Sequence, residues 1–185
     1  MSANKLIAKA MEYAAQHHRG GTRKGGDIPY IVHPFEVAMI LKESSFEDKV
    51  VAAGLLHDLL EDTAVSKTDL KEKFNEEILE LVLSASEKLK GREERSWDKR
   101  KNQTIYYLQE EASFINKAIA CADKLSNARS ILRDIEKEPD NFWQRFSAPK
   151  SKQQWYYESL VESLKELEGL KMYGELKEVV AEIFK

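Results

Sequence analysis

Residues 50–56, VVAAGLL, are apolar on every face of a helix, which indicates a helix buried inside the protein. The ionisable side chains that follow this segment directly are His57, Asp58, Glu61 and Asp62. If the helix continues, residues four positions apart share a face, so these side chains form adjacent ridges on one side. The fold of this chain must therefore accommodate a polar stripe on an otherwise buried helix.

The negative charge of this stripe has to be compensated inside the protein. Burial of an unpaired carboxylate costs several kcal/mol even after relaxation, and a lysine or two would not satisfy the whole stripe. A bound divalent cation would do so. An imidazole nitrogen beside carboxylate oxygens suits Mn²⁺, Fe or Zn²⁺ better than Ca²⁺. We therefore expect a divalent metal site that takes further ligands from elsewhere in the chain.

Two other segments offer such ligands. His33 stands at a predicted helix start, directly before Pro34, where the backbone is fixed. Asp123 is the carboxylate in AIACADKLSNA, a helical stretch of mostly small and apolar residues. Each side chain also has a structural alternative: His33 could be an N-terminal helix residue without a metal, and Asp123 could pair with Lys117 or Lys124.

Helical periodicity runs through nearly the whole chain, and no sustained apolar–polar alternation indicates a strand. The length of 185 residues suits one domain, and no linker or internal repeat divides it. We predict an all-α, single-domain helical bundle over residues 1–185, with a core at about 4–136 and C-terminal helices at about 150–185. Capping patterns predict helix starts at Ser45, Ser66, Ser96 and Ser113.

Charge and composition exclude several classes of function. The net charge of −3 and the pI near 5.9 leave no basic surplus for binding nucleic acid. Cys121 is the only cysteine, which excludes an intrachain disulfide. No apolar run reaches the length of about 20 residues that a membrane span needs, and the N-terminus lacks a signal-peptide pattern. We expect a cytoplasmic protein, monomer or homodimer, without a nucleic-acid or membrane partner.

Three motifs, in this order along the chain, together resemble those of a known family. They are HRGGTRKGGDIPYIVHP at residues 18–34, LLHDLLEDT at 55–63 and ADKLSNARS at 122–130. Their order and spacing resemble HD-domain phosphohydrolases, and within them the RelA/SpoT-type hydrolase domain and the stand-alone small alarmone hydrolases. Gly21 and Ser126 depart from the pattern, since the family usually has Gln and often has His at these positions. The resemblance implies a helical bundle of the HD-domain type.

The resemblance also implies a role for each residue of the polar stripe. The implied metal ligands are His33, His57, Asp58 and Asp123, with Mn²⁺ as the expected ion. Glu61 and Asp62 would orient and deprotonate the attacking water. Their structural alternative is a pair of ordinary helix-end acids, although the helix dipole disfavours acids at a C-terminus. For His57 and Asp58 the alternative is a buried hydrogen-bonded pair.

The implied substrate contacts are Arg23, Lys24 and Asn127. Arg23 and Lys24 lie in the glycine-flanked loop GGTRKGG, where glycine permits close backbone approach and both cations can meet a nucleotide. The alternatives are a solvated loop and, for Asn127, a helix-surface amide. Aromatic residues after position 142 are predicted to pack in the core, with Arg145 and Lys150 as further candidates for phosphate contacts.

Three functions remain open from the sequence. The first is Mn²⁺-dependent hydrolysis of guanosine 3′,5′-bis(diphosphate) or its pentaphosphate analogue to GDP or GTP and pyrophosphate. The second is an HD-type phosphohydrolase of another nucleotide, either a 5′-nucleotidase or a phosphatase acting on a dinucleotide cofactor. The third is a nucleotide sensor that has lost turnover. The intact Glu61–Asp62 pair favours an enzyme over a sensor.

Overall fold

The computed structural model describes residues 3–23, 26–85, 96–138 and 142–185. In these ranges the chain is helical and contains no named strand, which confirms the all-α prediction. The α-helices are α1 (Ala3–His17), α2 (Val32–Glu43), α3 (Asp48–Leu56), α4 (Leu59–Asp62), α5 (Lys67–Lys73), α6 (Glu76–Ala85), α7 (Trp97–Tyr106), α8 (Phe114–Lys137), α9 (Lys150–Ser163) and α10 (Lys171–Ile183).

Short helical turns of other types connect some of these helices. A π-helical turn (Tyr107–Glu111) follows α7, and 3₁₀ turns (Phe142–Arg145 and Lys165–Leu167) flank α9. Within the described ranges, no helix is long and apolar enough to cross a membrane. The predicted end of α6 near Gly91 lies outside the described residues.

Helix α8 is the centre of the bundle. It contacts α2, α3 and α6 on one side and α10 on another, while α3 also packs against α1 and α2. The small residues Ala118, Cys121 and Ala122 of this helix are inaccessible to solvent. Burial also raises the pKa of the Cys121 thiol to about 12, consistent with a core residue.

Helices α2 and α3 approach each other closely at Gly54. A Cβ atom at this position would lie 2.6 Å from Leu41 Cδ1 and 3.2 Å from Val37 Cγ1. A larger residue here would therefore force the side chain of Leu41 to move. The close approach brings the C-terminal end of α3 and its carbonyl groups near the start of α2.

The capping prediction is confirmed at Ser66, Ser96 and Ser113, whose hydroxyl groups accept from backbone N–H groups of the following helix. It is wrong at Ser45. That residue has a φ of 63° and belongs to the end of α2, where the Phe46 N–H donates to the Leu41 carbonyl. Because Ser45 terminates α2, Glu47 precedes α3 as its N-cap.

The apolar helix is also interrupted where the sequence predicted continuity. Helix α3 ends at Leu56, and α4 begins at Leu59 after Asp58 adopts φ −90° and ψ −6°. The His57 imidazole bonds the Gly54 carbonyl at 2.8 Å and so competes for the group that a continuous helix would pair with the Asp58 N–H. The four polar residues therefore span the junction between α3 and α4.

Candidate active site

Four predicted side chains from three parts of the chain meet beside α8. We call this group, made of His33, His57, Asp58 and Asp123, the His–Asp cluster. One ligand atom each from His33, His57 and Asp58 lies within 4.8 Å of the others. Asp123 Oδ1 lies 3.2 Å from His33 Nε2 and 3.9 Å from His57 Nε2. Residues separated by 90 positions in sequence are thus within reach of a single ion.

The rings of both histidines are oriented by bonds on their far side. His57 Nδ1 lies 2.8 Å from the Gly54 carbonyl, which can only accept, so Nδ1 carries the proton and Nε2 faces the cluster. His33 Nδ1 lies 2.9 Å from Ser126 Oγ, and its Nε2 lies 3.5 Å from Asp58 Oδ2. Both histidines are almost fully buried, because His33 is 3% exposed and His57 is 2% exposed.

The cluster is strongly coupled electrostatically. Burial opposes the charged form of His57, but the neighbouring Asp58 and Asp123 carboxylates outweigh it and raise the pKa of His57 to about 9. Burial works against ionisation of Asp58 as well. The His57 and His33 rings nevertheless hold the pKa of Asp58 well below its usual range. Without a metal ion, the anionic pocket therefore retains a proton on imidazole at neutral pH.

Asp123 is held on both carboxylate oxygens by its own helix. Lys124 Nζ donates to Oδ2 at 2.6 Å, and Asn127 Nδ2 donates to Oδ1 at 2.5 Å. The pKa of Asp123 is lowered, since Lys124 and the cluster histidines outweigh the effect of burial. The predicted ion pair with Lys124 is present, and it coexists with the position of Asp123 beside His33.

Tyr30 connects the cluster to the predicted catalytic pair. Its hydroxyl group lies 2.6 Å from Asp58 Oδ2 and 2.9 Å from Asp62 Oδ2. Burial and these two carboxylates raise the pKa of Tyr30, so the phenol stays protonated and donates. Glu61 is partly buried on the same turn, and its N–H donates to the Asp58 carbonyl.

The loop before α2 places Arg23 at the other side of the cluster. Thr22 and Pro29 form an isolated antiparallel bridge, and the Arg23 N–H donates to the Ile28 carbonyl at 2.8 Å. Arg23 Nη2 donates to Asn127 Oδ1 at 2.7 Å. The described parts of the loop thus join Arg23 to Asp123 through Asn127. Lys24, its predicted neighbour in substrate binding, lies outside the described residues.

A pocket of about 250 Å³ opens beside the cluster along α8, and we call it the α8 pocket. Its lining residues are Arg23, Tyr30, Asn127, Ser130, Ile131, Asp134, Phe142, Arg145, Phe146 and Tyr157. Of these, Arg23 and Asn127 were predicted as substrate contacts, and Arg145 was a further candidate for a phosphate contact. Tyr30 and Asn127 also contact cluster residues, so the pocket and the cluster form one continuous site.

Several residues of this site were missed by sequence reasoning. Tyr30 gave no signal beyond its place three residues before His33. Asp134 could have been found from its spacing, because it lies seven residues after Asn127 and so on the same face of α8. Phe142 and Tyr157 were predicted as core residues; both are buried, and both also line the pocket.

The donor atoms of the cluster fit a divalent metal. Two imidazole nitrogens and two carboxylate oxygens form a mixed set that first-row transition metals favour. Each histidine has a fixed partner for its second nitrogen, as metal-binding histidines usually do. Among the described residues, Lys124 pairs with Asp123, whereas no lysine or arginine forms an ion pair with Asp58.

Comparison with known proteins gives relatives named as guanosine-3′,5′-bis(diphosphate) 3′-pyrophosphohydrolases, as GTP pyrophosphokinases and as a bifunctional (p)ppGpp synthase/hydrolase. The chain is 47% identical over 78 residues to a guanosine-3′,5′-bis(diphosphate) 3′-pyrophosphohydrolase of Borreliella burgdorferi, covering 42% of this chain and 12% of that protein. The chain spans less than a fifth of the length of the first curated relatives it matches, at 12%, 17% and 18%.

Solved structures of similar size match over most of the chain. A 1.85 Å crystal structure of a Listeria monocytogenes EGD-e protein is 32% identical, with a TM-score of 0.74, and covers 82% of this chain and 98% of that one. A metazoan ortholog of SpoT, described as hydrolysing ppGpp, is 26% identical with a TM-score of 0.77, and covers 96% of this chain and 94% of that one.

The family assignment follows from a match over most of the chain. The HD domain family matches residues 10–151, a range that contains every member of the His–Asp cluster and the start of α9. The resemblance inferred from the three sequence motifs is confirmed at this level. The chain belongs to the HD domain family.

Proposed function

We propose that this protein hydrolyses guanosine 3′,5′-bis(diphosphate), and its pentaphosphate analogue, to GDP or GTP and pyrophosphate, using Mn²⁺. The observation that carries the proposal is the continuity between the His–Asp cluster and the α8 pocket through Asn127. A phosphoryl group at the cluster and a nucleoside in the pocket can then belong to one substrate. The relatives named for this reaction support the choice of substrate.

The metal ligands in this proposal are His33, His57, Asp58 and Asp123. A bound divalent ion supplies a water of lowered pKa and neutralises charge on a phosphoryl oxygen. Mn²⁺ fits a set of two imidazoles and two carboxylates, and Fe or Zn²⁺ are alternatives for the same donors. The His57 side chain must release its proton before it can ligate, which ties metal binding to pH.

Glu61 and Asp62 act on the attacking water in this proposal. The water loses a proton to this carboxylate pair and attacks the phosphorus bonded to the ribose 3′ oxygen. The bond between that phosphorus and the 3′ oxygen breaks, the oxygen takes a proton, and pyrophosphate leaves. Tyr30 holds the Asp62 carboxylate against the cluster through its hydroxyl group at 2.9 Å.

The α8 pocket accommodates the nucleoside in this proposal. The aromatic rings of Phe142, Phe146 and Tyr157 line the pocket and provide apolar surface for a purine. The guanidinium groups of Arg23 and Arg145 line it too, and each can stack on a base or bind a phosphate. Lys24, which adjoins Arg23 in sequence, completes the proposed substrate contacts.

Asp134 favours guanine over adenine in this pocket. Among the described residues its carboxylate has no hydrogen bond or ion pair, although it lines the pocket that would bind the anionic nucleotide. Guanine presents two adjacent donors, N1–H and the exocyclic amine, that a carboxylate accepts together, whereas adenine presents an acceptor at N1. Asp134 lies 11 residues beyond Asp123, about 16 Å along the helix, which matches the reach of a nucleoside with its 3′ phosphate.

The test is pyrophosphate release from guanosine 3′,5′-bis(diphosphate) with Mn²⁺. The unchanged protein should release pyrophosphate, and Glu61→Ala with Asp62→Ala should lower the rate by at least about 1,000-fold. Glu76→Ala with Glu77→Ala is the matched control, because it removes two adjacent acids from the exposed start of α6.

The other functions predict different results in the same assay. Release of inorganic phosphate from nucleoside monophosphates or from a phosphorylated dinucleotide, without pyrophosphate release, would replace this substrate with another nucleotide. Nucleotide binding that survives the Glu61 and Asp62 substitutions, with no turnover of any of these compounds, would indicate a sensor.

A further inference from the structure

We infer that Ser126 and Glu36 are positioning residues for His33, joined to it by a chain of hydrogen bonds that sets the affinity of the site for its metal. The inference rests on the proposed role of His33 as a metal ligand. It concerns a buried hydroxyl group on α8 that the proposed function does not use.

The first step concerns the single proton of the Ser126 hydroxyl group. Ser126 Oγ lies 2.8 Å from Glu36 Oε2 and 2.9 Å from His33 Nδ1. A carboxylate can only accept, so the hydroxyl proton is directed to Glu36. The serine oxygen is then the acceptor for the proton on His33 Nδ1.

The second step follows for the other nitrogen of His33. When Nδ1 carries the proton of the neutral ring, Nε2 carries the lone pair. That nitrogen lies 3.2 Å from Asp123 Oδ1 and 3.5 Å from Asp58 Oδ2, at the centre of the His–Asp cluster. Ser126 therefore selects the tautomer of His33 that can bind a metal, and the buried hydroxyl fixes the plane of the ring.

The third step explains how the Glu36 carboxylate stays in place. Arg129 Nη1 donates to Glu36 Oε1 at 3.1 Å, while its Nε and Nη2 donate to Glu175 Oε1 at 2.8 and 2.6 Å. Arg133 adds a weaker ion pair with Glu36 at 3.9 Å. This chain of hydrogen bonds thus connects the cluster, through α8 and α2, to α10. Helix α10 lies outside the residues that match the HD domain family.

His57 provides an internal comparison for this arrangement. Its Nδ1 is paired with the Gly54 carbonyl of its own helix, and no side-chain substitution can remove a backbone carbonyl. His33 depends on a side chain instead. The orientation of the His33 ring can therefore be tested by mutation of Ser126, a residue outside the cluster.

The experiment measures Mn²⁺ affinity by calorimetric titration of metal-free protein. Ser126→Ala should weaken binding by about 10–100-fold, the range typical of partners that orient metal ligands, while Ser126→Thr should retain it within about threefold. Ser163→Ala is the matched control, since Ser163 is also buried but donates to the Ser159 carbonyl on α9. At saturating Mn²⁺, the kcat of Ser126→Ala should recover to within a few-fold of the unchanged value.

A second variant covers the case in which Ser126→Ala does not fold. Glu36 is partly exposed, and Glu36→Gln keeps the shape of the side chain but removes the charge that orients the serine proton. It should weaken Mn²⁺ binding in the same direction, by about 3–10-fold. Normal Mn²⁺ affinity in folded Ser126→Ala or in Glu36→Gln would overturn the inference.

The outcomes separate this inference from the proposed function. Weaker Mn²⁺ binding by Ser126→Ala, together with no pyrophosphate release by the unchanged protein, would support the role of Ser126 and refute the proposed substrate. Unaltered Mn²⁺ binding by Ser126→Ala, together with normal pyrophosphate release, would refute the role of Ser126 and support the proposed substrate. An unchanged protein that binds no Mn²⁺ would overturn both.

Discussion

The His–Asp cluster and the α8 pocket share helix α8 but are built in different ways. In the cluster each carboxylate and imidazole has a hydrogen-bonded or charged neighbour at 2.5–3.5 Å, and the two histidines are buried. The pocket is lined by side chains of mixed type, among them Asp134, whose carboxylate has no hydrogen bond or ion pair within the described part of the chain. Because the cluster is packed and the pocket is not, substitutions should affect chemistry in the first region and substrate choice in the second.

The largest effect should come from removing a cluster ligand. Asp123→Asn should lose bound metal and reduce kcat/KM by roughly 1,000-fold or more, because the site loses a charge that a divalent ion requires. Metal analysis after purification without chelator, with steady-state kinetics, measures both. Asp98→Asn is the control, since Asp98 is exposed and pairs with Lys152 away from the site. Full activity of Asp123→Asn would remove this residue from the ligand set.

The next effect concerns the link between the cluster and the catalytic pair. Tyr30→Phe removes the hydroxyl group that lies between Asp58 and Asp62, so kcat should fall by about 10–100-fold with a smaller change in KM. Tyr106→Phe, at an exposed tyrosine, is the control. A loss confined to KM would instead assign Tyr30 to substrate binding and weaken the division between the two regions.

A smaller effect should distinguish the pocket from the cluster. Asp134→Asn should reduce the preference for guanosine over adenosine bis(diphosphate) by about 10-fold in kcat/KM, because an amide can pair with either base edge. Competing the two substrates in one reaction measures this ratio directly. Glu136→Gln changes the same charge on an exposed position of α8. If Asp134→Asn and Glu136→Gln each raise the rates on guanosine and adenosine bis(diphosphate) equally, Asp134 acts only through its charge.

The smallest effect is on the pH dependence of stability. The pKa of His57 is raised from 6.5 to about 9, so its stabilising charge is present below pH 6.5 and is lost as the pH rises through 9. The melting temperature of metal-free protein should therefore fall by roughly 5 °C over this range. His57→Gln should flatten the profile, whereas His17→Gln should leave it unchanged. A melting temperature that rises with pH would mean that His57 is neutral in the folded protein.

The two regions also differed in how far they could be predicted. The cluster residues were identifiable because a buried helix with ionisable side chains is physically unusual, and the chain repeats that pattern around Asp123. Residues of the pocket, such as Phe142 and Asp134, look like an ordinary core aromatic and an ordinary helix acid. These residues line the same pocket only because the segment that follows α8 packs back against that helix.

Local backbone geometry limited the prediction in another way. The sequence indicated one helix through His57 and Asp58, because every residue there tolerates a helical conformation. The interruption lies where the His57 side chain reaches the Gly54 carbonyl, a contact that no periodicity records. Likewise, the sequence at Ser45 has the capping pattern of a helix start. Ser45 nevertheless ends the preceding helix, because the chain reverses direction there.

The hydrogen bond from Arg23 to Asn127 has a thermodynamic consequence. Asn127 holds Asp123 Oδ1 with its amide nitrogen and Arg23 with its oxygen, so one side chain connects a proposed metal ligand with a proposed nucleotide contact. A nucleotide that draws Arg23 away must alter the hold on Asp123 and hence the affinity for the ion. Linkage requires the ion to change nucleotide affinity by the same factor. Under the proposed function, the concentration of the metal ion would set the midpoint of nucleotide binding, and the concentration of the nucleotide would set the midpoint of metal binding.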